Sequence, residues 1–278
     1  MLSYRHAFHA GNHADLLKHW VLTLCLQYLK NKDKPFLYLD THAGAGGYSL
    51  RDEKAGKTGE YQQGIERLWQ AQAIPPVFDD YLQTVRAFNQ NETITRYPGS
   101  PQIAAQLLRD EDRLCLAELH GSDYQLLQQQ LGGDRRVRIL HEDGFQQLKA
   151  QLPPASRRGL ILIDPPYELK EDYQQLLEAL KEGLKRFATG CYLVWYPLLS
   201  SSESQRFSTQ LRNLPCEKWL DVALQVEAKP TGAGMYGSGM FVINPPYLLK
   251  EQLQQGLPWL TELLAVDEVA CFRLDSQG

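Results

Sequence analysis

Gly159-Leu160-Ile161-Leu162-Ile163-Asp164-Pro165-Pro166-Tyr167 is an unbroken apolar run that stops on a carboxylate and two prolines. The run is too short for a helix and reads as a strand buried in a parallel sheet, ended by a stiff turn. Asp164 then stands at the carboxyl edge of that sheet, where open α/β folds bind ligands. Tyr167 offers an aromatic face at the same corner.

Working outward, further apolar runs at 35–39, 114–116, 137–140, 192–195, 222–226 and 240–243 join 160–163 to make seven strand candidates. Helical spacing between most of them, as at Tyr124 to Leu131 and Tyr173 to Phe187, matches the alternation of a parallel sheet with covering helices. The connection Lys229 to Gly239 is too short for a crossover helix, so the last two strands are expected to run antiparallel. The long interval between the first two strands has helical patterns at Tyr61 to Trp69 and Phe78 to Phe88. The expectation is one α/β domain over 1–278 with a seven-stranded, doubly wound, Rossmann-like sheet. Residues 1–35 form an N-terminal helical segment reaching the active site, and 50–105 an inserted helical subdomain.

Composition sets outer limits. With 278 residues, 43% hydrophobic and 22% charged, the chain can bury a large core, and neither disorder nor a fibre is indicated. The first six residues lack the apolar core of a signal peptide and no stretch is long enough to span a bilayer, so a cytoplasmic protein without membrane contact is expected. Five scattered cysteines, none in Cys-x-x-Cys spacing, support neither a disulfide framework nor a zinc ribbon. A formal net charge of −4 speaks against a protein that coats nucleic acid, although a local basic patch can still serve. Basic residues at Arg135 to Arg138, Arg157, Arg158, Lys185 and Arg186 are candidates for phosphate contacts and equally for solvated surface.

The first strand runs into Asp40-Thr41-His42-Ala43-Gly44-Ala45-Gly46-Gly47, where Gly44 and Gly46 allow a tight turn and close approach to a ligand. The second strand ends at Glu118, suited to both hydroxyls of a ribose, and the third is followed by Asp143-Gly144, suited to an adenine edge. Three acidic strand ends in succession describe a nucleoside pocket. A nicotinamide site would want an acidic strand end about 20 residues past the glycines, and that region reads as helical. Gly56-Lys57-Thr58 imitates a phosphate-binding loop but has Arg51 where the motif needs glycine, and no strand leads into it.

An adenine amino nitrogen is a poor nucleophile because its lone pair is delocalised into the ring. Asp164 and the Pro165 carbonyl can each accept one amine hydrogen and aim that lone pair at the sulfonium methyl of S-adenosylmethionine. Tyr167 would stack on the base, for about 1–3 kcal/mol, helping to offset its extrusion from a helix. Asn244-Pro245-Pro246-Tyr247 also follows an apolar run, but on the seventh strand, whereas Asp164 ends the fourth, next to the first. The catalytic set is therefore expected at Asp164, Pro165 and Tyr167. His9 and His13 are one helical turn apart; methyl transfer from a sulfonium needs no metal, so they read as polar histidines beside the site, with no metal expected.

The segments Tyr4-Arg5-His6, His9-Ala10-Gly11-Asn12-His13-Ala14-Asp15, Lys18-His19, Asp40 to Gly46, Pro98-Gly99-Ser100-Pro101 and Asp164 to Tyr167 together resemble the RlmJ family. The resemblance runs nearly end to end. It implies a Rossmann-like class I methyltransferase, dependent on S-adenosyl-L-methionine, that modifies N6 of the adenine at position 2030 of 23S ribosomal RNA. It implies naked or early-assembly RNA as substrate and no protein partner. It also implies a cofactor pocket from His19, His42, Ser100, Glu118, Asp143, Gly144 and Asp164, with Tyr4, His6 and Lys18 near the target adenosine. The alternatives are a DNA adenine-N6 methyltransferase, a protein glutamine-N5 methyltransferase, in which asparagine usually leads the Pro-Pro-Tyr corner, and a cofactor-binding module without catalysis.

Overall fold

The computed structural model describes residues 6–51, 58–89, 93–232 and 234–278. Its main sheet contains β1 (Leu37–Asp40), β4 (Arg113–Ala117), β5 (Val137–Leu140), β6 (Gly159–Ile163), β7 (Cys191–Leu199), β8 (Trp219–Gln225), β9 (Met235–Ile243) and β10 (Cys271–Gln277). Their order is β10-β8-β9-β7-β6-β1-β4-β5, and β2 (Gly47–Ser49) pairs separately with β3 (Arg96–Pro98). The strands from β5 to β7 are parallel, while β9 is antiparallel to both β7 and β8. The sheet thus has eight strands rather than the expected seven. All seven predicted runs fall in it. β10 escaped because Cys-Phe-Arg-Leu-Asp-Ser-Gln is half-buried to exposed and has no long apolar run; it is held by full-length pairing with β8 and by Arg273 reaching Asp221.

The doubly wound character follows from β6. Successive side chains of a strand leave on opposite faces, so Leu160 and Leu162 enter one core while Ile161 and Ile163 enter the other. Full burial is worth about 1.5–3 kcal/mol per such side chain, which pins the strand's register from both sides. The first core is covered by α1 (His13–Lys30), α4 (Ser100–Leu107), α5 (Gly121–Leu131) and α9 (Leu249–Leu264), the second by α6 (Gly144–Ala150), α7 (Lys170–Arg186) and α8 (Ser202–Arg212). Among the described residues no helix is long and apolar enough to cross a membrane.

Two local features position the site. Asn12 caps α1 by accepting from the amides of Ala14 and Asp15 at 3.0 Å, and every residue from Ala14 to Leu26 is buried. Charged and polar groups on the first turns of α1 are thereby carried into the interior. Between β2 and β3 lie α2 (Ile65–Gln70) and α3 (Asp79–Asn89). The single helix expected over Tyr61 to Trp69 is instead a 3-10 turn, Glu60–Gln63, followed by α2. The break is at Gly64: Ile65 donates its amide to the Gly11 carbonyl at 2.8 Å, and a Cβ on Gly64 would come within 2.1 Å of that oxygen.

Candidate active site

The carboxyl ends of β1, β4, β5 and β6 converge on a cleft with about 1150 Å³ of empty space, partly open to solvent. β1 lies where the strand order reverses, the expected place for a ligand crevice. Glu118 follows β4 and is 9% exposed. Its Oε2 accepts from the Gly44 amide at 2.7 Å and its Oε1 from the His120 amide at 2.6 Å. Burial raises the Glu118 carboxyl above the usual range, partly countered by those two amides. Asp143 caps α6 through the Phe145 amide at 2.8 Å. Gly144 follows because the backbone of β1's loop is in contact: a Cβ there would sit 1.8 Å from the Thr41 carbonyl oxygen.

Asp40 lies beneath the floor of the cleft. It is fully buried and accepts from Ser100 Oγ at 2.6 Å, Tyr38 Oη at 2.8 Å and the His42 amide at 3.3 Å. Burial raises its pKa from 3.8 to about 6 against the pull of those donors, and the charge of Asp164 adds to the rise. That rise corresponds to about 3 kcal/mol. The native state holds this proton below about pH 6, while the unfolded chain takes it up only near 3.8, so Asp40 costs stability above pH 6 and the cost fades as pH falls. Relative to Asp40→Asn, which cannot titrate, the wild type is expected to gain about 2 kcal/mol of stability between pH 7 and pH 4.5 in urea titrations.

His42 bonds Thr41 Oγ1 through Nδ1 at 2.8 Å and stands edge-on to Phe145. Burial lowers its pKa to about 4, so it is neutral at physiological pH. From α1, His19 Nδ1 meets Tyr97 Oη at 2.7 Å, while its Nε2 is buried without a hydrogen-bond partner among the described residues. Lys18, one residue earlier, is 4% exposed and donates to Asp164 Oδ2 at 2.6 Å and to Asp15 Oδ1 at 2.9 Å. Burial works against the Lys18 charge, but Asp15 and Asp164 outweigh it and hold its pKa above the ordinary value. Asp15, 1% exposed, also accepts from His6 Nε2 at 2.9 Å and the Gly11 amide at 2.8 Å.

A second chamber, with about 650 Å³ of empty space, lies beyond this ion pair. His6, Lys18, Asp164 and Pro166 line both chambers and form the shared wall. Trp195, Met235 and Asn12 belong to the second alone. Asp164 Oδ1 makes no hydrogen bond among the described residues, so one oxygen is pinned by Lys18 and the other remains an open acceptor.

Most of the residues expected from sequence meet here. His6, Lys18, His19, His42, Gly44, Ser100, Glu118, Asp143, Gly144, Asp164 and Pro165 all line the first cleft. Tyr4 lies outside the described residues. Gly46 is off the cleft wall: at φ +86° its carbonyl accepts from Gly99 at 2.8 Å, shaping the turn from behind.

Tyr167 differs most from expectation. At φ +52° its ring turns inward, 8% exposed, against Tyr173, Trp195 and Phe207, and its hydroxyl donates to the Trp195 carbonyl at 2.5 Å. It lines the second chamber with little of its surface, and it fastens the Pro-Pro corner to β7. Tyr167→Phe is therefore expected to cost about 1 kcal/mol in chemical denaturation, where a solvent-facing stacking hydroxyl would cost nothing.

The second Pro-Pro corner is elsewhere. Because β9 runs against β7, Ile243 pairs with Tyr192 at the start of β7, and Asn244 falls at the opposite edge of the sheet. Its side chain donates to the Ala188 and Gly190 carbonyls at 2.8 Å. The basic candidates are also largely occupied. Arg136 binds Asp134 and the Ala105 and Leu108 carbonyls, Arg158 binds the Lys34 and Leu29 carbonyls, and Arg135 pairs with Asp110. Sequence reasoning missed Asp15 as a site residue, although its spacing to Lys18 and His19 places all three on one face of α1. It also missed Trp195, which looked like ordinary strand core.

Relatives bear on this geometry. A family model described as "Ribosomal RNA large subunit methyltransferase D, RlmJ" matches residues 33–273. The Ribosomal RNA large subunit methyltransferase J of Escherichia coli (strain K12) is 54% identical over 260 residues, 94% of this chain and 93% of that protein. The protein of the same name from Haemophilus influenzae is 49% identical over 265 residues, 95% of this chain and 94% of that one. A crystal structure of a Legionella pneumophila protein superposes with a TM-score of 0.90 at 38% identity, covering 97% of this chain and 99% of its own. With its Rossmann-like class I methyltransferase fold, this chain belongs to the RlmJ family of ribosomal RNA large subunit methyltransferases.

Proposed function

We propose that this chain transfers the methyl group of S-adenosyl-L-methionine to N6 of an adenine in 23S ribosomal RNA, at position 2030, with naked or early-assembly RNA as substrate. The observation that carries this reading is the shared wall: one carboxylate, Asp164, lines both the cleft that holds Glu118 and Asp143 and the second chamber. A donor in one and an acceptor base in the other would meet at Asp164.

The first cleft fits the donor. Glu118 offers a carboxylate at the end of β4, Asp143 another after β5, and the unpartnered His19 Nε2 is a buried polar atom whose partner a ligand can supply. When bound, the cofactor supplies an electrophilic sulfonium methyl. Everything else falls to the protein's own groups. Lys18 fixes Asp164 Oδ2, so Oδ1 accepts one hydrogen of the target amine and the Pro165 carbonyl accepts the other. Held by two acceptors, the amine nitrogen directs its lone pair at the methyl carbon. As the new N–C bond forms and the methyl–sulfur bond breaks to leave a neutral thioether, the surplus amine proton would leave along the Asp164 hydrogen bond. Orientation contributes more than proton removal, because a carboxylate is a weak base. His6, Lys18 and Pro166, which line both chambers, would border the base as well as the donor.

The test is incubation with tritiated donor and, separately, 23S RNA, assembled large subunits, DNA and a release factor, followed by mapping of N6-methyladenine. Label in RNA at one adenine is the expected result. Label in DNA or protein alone overturns the reading.

A further inference from the structure

Trp195, part of the second chamber's lining, carries a polar atom that none of the described residues satisfies. This is Nε1, which is buried and has no hydrogen-bond partner among them. An N–H removed from water with no acceptor costs about 1–3 kcal/mol, so a native protein that keeps one has a use for it.

Its position says which use. β6 and β7 are parallel with Ile163 opposite Val194. Asp164 directly follows the last residue of β6 and Trp195 follows Val194 on β7, so an acceptor and a donor are brought to the same sheet edge. Trp195 is fixed there from two directions. Its carbonyl takes the Tyr167 hydroxyl, and the Lys18 ammonium lies 5.8 Å from its ring centroid. An acceptor beside a donor is the complement of a base edge on which an amine neighbours a bare ring nitrogen. Adenine has that arrangement twice, as N6 with N1 and N6 with N7; cytosine (N4 with N3) and guanine (N2 with N3) have it once each, and guanine's major-groove edge carries a carbonyl oxygen instead.

We infer that Trp195 reads the target base, its indole N–H donating to the ring nitrogen next to the amine that Asp164 holds; this rests on the methyl-transfer reading above. Tyr167 then supports recognition from behind, by holding the Trp195 backbone, and does not stack on the base.

The experiment measures kcat/KM for wild type, Trp195→Phe and Asp164→Asn on RNA carrying adenosine, 1-deazaadenosine or 7-deazaadenosine at the methylated position. Melting temperature and calorimetric affinity for S-adenosylhomocysteine are measured alongside. Trp195→Phe deletes the N–H and also shrinks the bicycle to one ring, so the comparison across the deaza substrates, rather than the loss on adenosine alone, isolates the N–H. It is expected to lose about 10- to 100-fold on adenosine RNA, with unchanged S-adenosylhomocysteine affinity. One deaza substrate should react equally with wild type and Trp195→Phe, and thereby identify the nitrogen. A Trp195→Phe protein within twofold of wild type on adenosine RNA, or one that trails wild type equally on all three substrates, overturns the inference while the methyltransferase reading stands. No transfer by wild type to any RNA removes that reading and this one with it.

Discussion

Replacing Asp164 with asparagine is expected to reduce methyl transfer to RNA by about 10²- to 10⁴-fold in kcat, with little change in affinity for S-adenosylhomocysteine. The shape of the corner survives, since asparagine fills the same volume. What changes is the second oxygen: Lys18 now faces either an amide oxygen or an amide nitrogen, and the group offered to the target amine is a weaker acceptor or a donor. An amine hydrogen that meets a donor turns its lone pair away from the methyl, and a misorientation of this kind is costly because positioning supplies most of the rate. Asn244→Ala serves as the control. It removes two hydrogen bonds to the Ala188 and Gly190 carbonyls at the far edge of the sheet, so stability falls by about 1–2 kcal/mol while turnover per folded molecule stays the same. Equal turnover by wild type and Asp164→Asn in a radiolabel assay would reverse this assignment of the two Pro-Pro corners.

The parts of the fold that were legible in the sequence are those whose burial is written in local composition. β6 is apolar at every position because both its faces are covered, and Asp164 is found by asking where such a strand must stop. The antiparallel turn into β9 was legible from loop length alone. β10 was not: an edge strand half open to solvent needs no apolar run, and its place is set by pairing with a distant segment. The break at Gly64 was invisible for a similar reason, since it is made by the Gly11 backbone from a remote part of the chain.

In the site, the same division holds. Acidic strand ends are predictable because the sheet edge is a known place for ligands, and Glu118 and Asp143 were found in that way. The direction of a side chain is not contained in a motif. Asp-Pro-Pro-Tyr invites an exposed stacking ring, yet a positive φ at Tyr167 sends that ring inward to Phe207 and Tyr173. Which residue of β7 is brought level with Asp164 is set by strand register, a long-range property. Lys18, His6 and His19 came only from family resemblance, because nothing in the composition of α1 announces that its first turns are buried.

Lys18→Met is expected to be the most damaging exchange for stability, at about 3–5 kcal/mol, together with loss of turnover. The side-chain volume is nearly conserved, so the cost is electrostatic. Lys18 is the cation that both Asp15 and Asp164 contact, at 2.9 and 2.6 Å. Burial pushes the Asp15 carboxyl up, but the charges of His6 and Lys18 outweigh this and hold it well below the usual range. A carboxylate lowered in this way stabilises the fold above its unfolded value near 3.8, and the contribution is lost as pH falls through the folded value. Without Lys18 the lowering shrinks, and at pH 7 the variant keeps a charge in its interior with one partner fewer. The deficit against wild type should therefore be larger at pH 7 than at pH 3, below the unfolded value, where the variant's Asp15 takes up its proton before the wild type's does. Urea titrations at the two pH values measure it directly. Asp15→Asn added to Lys18→Met should recover part of the lost stability at pH 7, because it removes the buried charge that lost its partner, but it should recover no turnover, because Asp164 Oδ2 remains unpinned. A deficit under about 1 kcal/mol, or one that is the same at both pH values, would mean that water reaches this cluster and that the ion pair does not organise the wall between the chambers.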